Sequence, residues 1–401
     1  MSSAQRLVRL EEVATFTGGS TPLRAKPQYF GGNIPWVKTT DLNNGLIAET
    51  EETLTELGLD ESSCKIVPAN AVLVAMYGGF NQIGRTGLLL NDSAINQALT
   101  AILPDTHKLD PAFLLEWLNF RVDYWKRFAG SSRKDPNITK GDVADFPVPS
   151  IPVDQQRNAT RVLAEWNSAI EKTEQLIAAK ERYCTHELSR LISRGHHPHG
   201  HVGSFAHEFP ERNRSGTWQK VELADIATVW KGQQLNKDAM VEDGAYYALN
   251  GGIKPSGRTT EWNCEANTIT VSEGGNSCGF VSFNCENFWC GGHCYALKNL
   301  AKNVDVHYLF HFLKGKQTRL MALRVGSGLP NIQKSDIEAF TVILPDLTTQ
   351  SGIARYLSAL REEISTLCAY VEKLKEQKRG LMQKLLTGQW RVPAKGNEVA
   401  T

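Results

Sequence analysis

Residues 327–340 read SGLPNIQKSDIEAF, and residues 133–146 read RKDPNITKGDVADF. At an offset of 194 (327 − 133) the two share Pro, Asn, Ile, Lys, Asp and Phe, with one Val/Ile exchange. A phrase written twice calls for a search for a longer period, because self-similarity on this scale decides the architecture.

The repeat runs the length of the chain. VRLEEVATFTGG (8–19) matches VELADIATVWKG (221–232) at an offset of 213. AMYGGFNQIG (75–84) resembles VSEGGNSCG (271–279), with the glycine pairs at 196, and LDPAFLLEWL (109–118) matches VDVHYLFHFL (304–313) at 195. The offset falls by 18 (213 − 195), so the second copy is shorter in one stretch. Each copy has the same order: strand-like runs such as NAVLVAMY (70–77) and NTITVSEGG (267–275) among Gly-rich turns, then a helix-like stretch (111–128, 306–323). The doubled phrase follows, then a proline-punctuated strand-like segment, FPVPSIP or FTVILP, and last a long helix.

That last helix carries a heptad seam. In the second copy it runs through Ile353, Leu357, Leu360, Ile364, Leu367, Val371, Leu374, Leu381 and Leu385, with Lys378 interrupting. Shifting back by 194 gives Ala159, Leu163, Trp166, Ile170, Thr173, Ile177, Lys180, Cys184, Glu187 and Leu191, a weaker seam in the same frame. Steps of four and three over about five heptads are those of a coiled coil. About forty helical residues span roughly 60 Å. Each helix packing only on its own domain is the plainer alternative; a seam this long favours the two helices packing on each other. The expectation is an α+β chain of two pseudo-repeated globular domains separated by a pair of long antiparallel, coiled-coil helices. Its boundaries are 1–150 (first domain), 151–195 (first helix), 196–217 (a linker of Gly, Pro, Ser and charge), 218–345 (second domain), 346–388 (second helix) and 389–401 (polar tail).

Bulk properties are those of an ordinary globular protein: 401 residues, 41% hydrophobic, 22% charged, net charge +1. MSSAQRLVRLEE has no apolar core of a signal peptide and no run reaches membrane-spanning length, so the expected location is the cytoplasm, with the eight cysteines as reduced thiols. A protein that held DNA alone by phosphate neutralisation would be more basic, so a partner is expected to share the grip.

No enzymatic constellation emerges. KGKQT (314–318) lacks the leading glycine and the hydroxyl of a phosphate loop, and GSGLPN (326–331) fails the last position of GxGxxG. Pro345-Asp346 with Glu376-x-Lys378 has nuclease residue types, but some thirty helical residues, roughly 45 Å, separate the Asp from the others. Cys264, Cys278, Cys285, Cys290, His293 and Cys294 crowd together, yet WCGGHCY (289–295) falls on the Cys-free, His-free AINQALT (94–100) at 195, so the shared frame needs no metal there. His196, His197, His199 and His201 read as a solvated tract. No metal is assigned.

These residues resemble one family, the DNA-specificity subunit of type I restriction-modification systems. The likeness lies in LEEVATFTGG and LADIATVWKG, in PNI-x-K-x-D-[VI]-x-x-F, in VPSIPVDQQ and VILPDLTTQ, and in the helices ending LSRLIS and LMQKLLTG; it covers nearly the whole chain in both copies. The resemblance implies two target-recognition domains, each reading one part of a bipartite, asymmetric double-stranded DNA target, with the helices setting the gap. It implies docking of two DNA adenine methyltransferase subunits that carry S-adenosylmethionine, with further restriction (translocase) subunits adding cleavage. This chain would itself be non-catalytic, without a cofactor and without a membrane.

Base readout needs paired donors and acceptors on loops that reach a groove. The first-copy candidates are Lys38, Thr39, Thr40, Tyr77, Gly78, Gly79, Asn81, Gln82, Arg85, Ser131, Arg133 and Lys134. The second-copy candidates are Asn250, Lys254, Arg258, Gly274, Gly275, Asn276, Ser277, Arg324 and Ser327. Any one of them read alone is equally an ordinary solvated loop residue; the set is what points to DNA. The doubled phrase itself is expected to be a joint that orients domain on helix rather than a reading loop. Two rival classes stand beside this one: a non-catalytic adaptor or scaffold without sequence reading, and a zinc enzyme using the cysteine cluster.

Overall fold

In a computed structural model the described residues are 6–77, 82–129, 137–194, 218–326 and 330–393. The linker expected at 196–217 lies outside them. The chain divides into two compact units, Met1–Thr173 with Tyr370–Thr401, and Glu174–Ala369.

The first unit holds a five-stranded sheet in the order Ala14–Gly18, Leu99–Pro104, Val72–Ala75, Thr86–Leu89, Gly45–Ile47, beside a four-stranded sheet ordered Glu52–Leu54, Phe30–Val37, Ser93–Ile95, Ile66–Val67. The second unit repeats this with four strands (Thr228–Lys231, Cys294–Lys298, Thr268–Ser272, Val281–Asn284) and three (Gly257–Thr259, Tyr246–Leu249, Phe288–Cys290). The 18-residue shortening falls between the strands that match at 213 and those that match near 196. There the first unit has two further strands, Gly45–Ile47 and Ile66–Val67, and the helix Glu56–Asp60. The pairing of Phe30–Val37 with Ser93–Ile95 is parallel, as is that of Tyr246–Leu249 with Phe288–Cys290. One close approach recurs as well. A Cβ on Gly19 would lie 2.1 Å from the Asn96 carbonyl oxygen, and one on Gly232 would lie 2.2 Å from that of Gly291, so only glycine lets these strands exit.

Each unit is closed by a two-stranded ribbon at the doubled phrase. Leu7–Arg9 pairs with Pro147–Pro149, and Gln219–Glu222 with Thr341–Leu344. Within the phrase, Ile138 and Ile332 are each 1% exposed and their amides donate to Met76 O (3.0 Å) and Glu273 O (2.9 Å). Asp142 and Thr139 form a capping box that starts helix Lys140–Ala144. The phrase's Asn137, Lys140, Asn331 and Lys334 face outward.

The glutamines of VPSIPVDQQ and VILPDLTTQ lock domain to helix in both units. Gln156 is fully buried; its carbonyl oxygen accepts from Asp110 N (2.8 Å) while its amide donates to Lys108 O (2.9 Å) and Ile151 O (2.8 Å). Gln350 does the same with Asp305 N (2.8 Å), Asn303 O (2.9 Å) and Pro345 O (2.8 Å). A leucine at either site would leave three backbone groups without partners, at about 1–3 kcal/mol each. Asp110 and Asp305 in turn cap the helices Pro111–Phe120 and Val306–Gly315.

The long helices are Val153–Arg194 and Leu347–Leu386. In the first unit Ala159 and Leu163 cluster with Met382, Leu385 and Leu386. In the second, Cys184 and Leu188 cluster with Ile353, Ala354 and Leu357. The start of one helix thus packs on the end of the other in both units, so they run antiparallel. From Ile364 to Leu374, seam positions Ile364, Leu367, Val371 and Leu374 are buried or half-buried and every position between is exposed. Trp166, Ile170 and Ile177 are half-buried in the same way on the first helix, and Leu191, Leu360 and Leu381 pack on the two cores.

The polar interruptions of the seam have partners. Lys378 Nζ lies 3.4 Å from Glu116 of the short helix, Lys180 Nζ lies 2.7 Å from Glu363, and Glu187 holds Arg190. Among the described residues no helix is long and apolar enough to cross a membrane.

Candidate nucleic-acid interface

In each unit, loops far apart in the chain are stitched side by side along one rim of the sheets. In the second unit Gly232 N donates to Cys294 O (2.9 Å), Gln233 N to Cys290 O (2.9 Å), Gly291 N to Leu249 O (2.9 Å) and Glu273 N to His293 O (3.0 Å). Gly275 N donates to Pro330 O (3.0 Å), and Val325 and Asn331 exchange backbone bonds (2.9 and 3.1 Å). Segments around 231–234, 250–256, 273–277, 291–293, 324–326 and 330–331 thereby become neighbours. Of the expected residues, Lys254, Asn276 and Arg324 are exposed on this rim. Ser277 Oγ donates to Gly251 O, fixing the loop that carries Lys254, and Gly274 bridges to Asn331 while Gly275 takes a left-handed φ of 72°.

Two expected residues are engaged internally. Arg258 donates to the carbonyls of Gly244 (2.6 Å) and Ala245 (2.9 Å), and half-buried Asn250 accepts from His293 N (3.4 Å). These bonds shape the rim, on which Arg258 remains exposed.

The rim also presents Lys231, Gln233 and Gln234, which the sequence reading did not single out, and His293, which it named only within the cysteine cluster. Lys231 Nζ is 2.6 Å from Glu273, yet its side chain is 54% exposed. Glu273 is nearly buried, with Tyr295 donating to it (3.0 Å) and His293 3.6 Å away. The signal available for Lys231, Gln233 and Gln234 was their position at the end of the repeated strand VELADIATVWKG and just after it.

The first unit is stitched alike. Ser20 N donates to Ile95 O (2.9 Å), Asn96 N to Val37 O (2.9 Å) and Met76 N to Ala98 O (2.8 Å). Lys38, Thr39, Thr40 and Tyr77 lie along this edge, with Tyr77 and Thr40 exposed; Gln82 and Arg85 are half-buried at the turn into Thr86–Leu89. Lys38 is held rather than open: its side chain is 15% exposed and its Nζ lies 2.7 Å from Glu51 and 2.6 Å from Glu52. Glu52 also pairs with Arg24, whose guanidinium stands over Phe30 (4.8 Å) and Trp36 (4.9 Å). Arg24 and Lys38 together pull the Glu52 carboxyl down to a pKa of about 2. Gly78, Gly79, Asn81, Ser131, Arg133, Lys134 and Ser327 lie outside the described residues.

The cysteine cluster is core. Cys290 and Cys294, at most 1% exposed, occupy the positions of Ile95 and Leu99 in the first unit, and Cys264 packs with them against Phe288 and Leu249. Hydrogen bonds with the Cys264 and Cys294 thiols, and then burial, push the Cys290 pKa up. Among the described residues no three His, Cys, Asp or Glu side chains are grouped to hold a metal ion.

A family model described as the type I restriction modification DNA specificity domain matches residues 5–180 and again 215–373. The chain belongs to this family. It is similar to a putative type I specificity subunit of Mycoplasma genitalium, 33% identical over 162 residues, covering 40% of this chain and 42% of that one. It is also similar to the MjaIX type I restriction enzyme specificity subunit of Methanocaldococcus jannaschii, 21% identical over 96% of this chain and 93% of that one. The chain spans under half the length of the M. genitalium relative and of a similar putative type I specificity subunit of Mycoplasma pneumoniae. The crystal structure of a type I restriction-modification S subunit from M. genitalium shares the fold, with a TM-score of 0.60 at 16% identity over 96% of both chains.

Proposed function

We propose that the chain is the non-catalytic, sequence-reading subunit of a cytoplasmic type I restriction-modification assembly, each unit reading one part of a bipartite, asymmetric double-stranded DNA target. The observation that carries the reading is the pair of rims: one repeated frame, furnished in the second unit with Lys231, Gln233, Gln234, Lys254, Asn276, His293 and Arg324, and in the first with Thr39, Thr40, Tyr77, Gln82 and Arg85. Amides and guanidinium groups pair with base edges, and lysines with phosphates. Unlike furniture on like frames suits a target whose two parts differ. The helix pair is the spacer, and two adenine methyltransferase subunits, carrying S-adenosylmethionine, dock on the helices and their adjoining ribbons; restriction subunits join that assembly. The domain limits proposed are those of the repeat, with the joint at the doubled phrase and its buried Gln156 and Gln350.

The test is a footprint of the full chain with its methyltransferase. Two protected blocks are expected, and replacing Lys231 and Arg324 with Ala is expected to erase one block and leave the other. A single block, or equal weakening of both blocks, would favour a scaffold without sequence reading.

A further inference from the structure

The helix pair has a problem that its own repeat creates. The two long helices share one frame, so either could pair with its own copy from a second chain. What selects the unlike pairing is visible at one buried point in each unit. In the first unit Glu116, 7% exposed on the helix Pro111–Phe120, accepts from Asn167 Nδ2 (2.7 Å) through one oxygen. Its other oxygen is buried without a hydrogen bond and faces Lys378 Nζ at 3.4 Å. Asn167 comes from the first long helix and Lys378 from the second.

The equivalent point of the second unit has the same geometry and the opposite chemistry. His311 replaces Glu116 at 195, counted from the matching caps Asp110 and Asp305. Arg361 replaces Asn167 and Cys184 replaces Lys378 at 194, counted from the matching Gln156 and Gln350. His311, 3% exposed, accepts from Arg361 Nε at Nδ1 (3.1 Å), which leaves Nε2–H to donate to Ser358 (2.8 Å). Buried Cys184 lies within the field of Arg361, and burial holds its thiol pKa up.

We propose that this lock makes the first long helix choose the second over a copy of itself in another chain. Pairing two first helices would set Cys184 where Lys378 belongs and leave Glu116 a buried, uncompensated carboxylate. Pairing two second helices would set Lys378 where Cys184 belongs, a third nitrogenous group against Arg361 and buried His311. Removing one partner of a buried pair, or burying like charges together, is among the costliest changes a core can carry. The seam repeats the discrimination once more: Lys180 meets Glu363 in the second unit, where the first unit's equivalents are Leu374 and Ala169. Like-with-like pairing would set Lys180 against Ala169 and Leu374 against Glu363. Polar residues at seam positions are a known means of fixing coiled-coil partners. What either unit reads has no bearing on this lock.

The experiment uses the purified full chain. Lys378→Cys is expected to lower the unfolding midpoint by about 5–10 °C. Adding Glu116→Gln is expected to restore most of that loss, because the exposed fault is a charge and not a void. The restored double variant has lost both penalties, so sedimentation is expected to show a larger dimer fraction than the parent chain at equal concentration. A single variant as stable as the parent, a second substitution that does not restore it, or a double variant with the parent's dimer fraction would each overturn the proposal.

Discussion

The two rims stand on the same stitched loops and hold their charge in different ways. In the first unit Lys38 and Arg24 are bound to Glu51 and Glu52, and among the described candidates the exposed ones are a hydroxyl and a phenol, Thr40 and Tyr77. In the second, Lys254 and Arg324 are exposed, and the acid nearest Lys231 is nearly buried. A surface whose cations are neutralised by its own carboxylates draws little on phosphate, whereas open cations do. The difference teaches that the frame sets where a side chain stands, and the local acids decide whether its charge is available.

The largest effect is expected where both rims lose their common support. Ile364 is half-buried in the seam of the second helix and packs on the second core. Ile364→Asp puts a carboxylate into that apolar packing and is expected to cost about 2–3 kcal/mol of stability. Loss of the methyltransferase proposed to dock there is expected with it on size-exclusion chromatography; an intact complex would argue that the helices are passive.

A smaller effect separates the two polar locks by pH. Burial, with Arg361 beside it, pulls the His311 pKa down to about 3 from the usual 6.5. Between those values the unfolded chain binds the extra proton, so stability rises with pH from 3 to 6.5 and is lost as pH falls through that window. His311→Gln keeps a donor and an acceptor without titrating. It is expected to flatten the slope of the urea midpoint between pH 4 and 6 by about one proton, or about 1.4 kcal/mol per pH unit. An unaltered slope would mean that His311 is charged where it stands.

How much of this was legible in the sequence depended on distance along the chain. The seam from Ile353 to Leu385 was legible because its period is local, and the doubled frame because it is written out twice. The role of Gln156 and Gln350 was not, although both end quoted phrases, because their partners lie some 46–48 positions away. Lys378 read as a flaw in the heptads until Glu116, on another helix, supplied the reason. Arg258 and Asn250 had the right side chains for base edges but are turned to backbone, which only the folded loops reveal. Lys231 and Gln234 went unnoticed because strand pairing across some sixty residues is what brings them beside His293.

The finest test asks whether charge availability divides the two rims as the salt bridges suggest. Neutralising one phosphate fewer lowers the slope of log affinity against log salt by about 0.9. Lys254→Ala, measured on the full chain with its methyltransferase, is expected to reduce that slope by about one such unit and to weaken all sequences alike. Thr40→Ala is expected to leave the slope where it was and to relax preference at one position of the other half-target, a change of about 1 kcal/mol. If Thr40→Ala moved the slope instead, the Lys38–Glu51–Glu52 cluster would have to open on DNA, releasing Lys38 to a phosphate. Glu51→Gln, which loosens that cluster without touching the rim's hydroxyls, would then steepen the slope, and that paired outcome distinguishes a rim that reads as it stands from one that rearranges to bind.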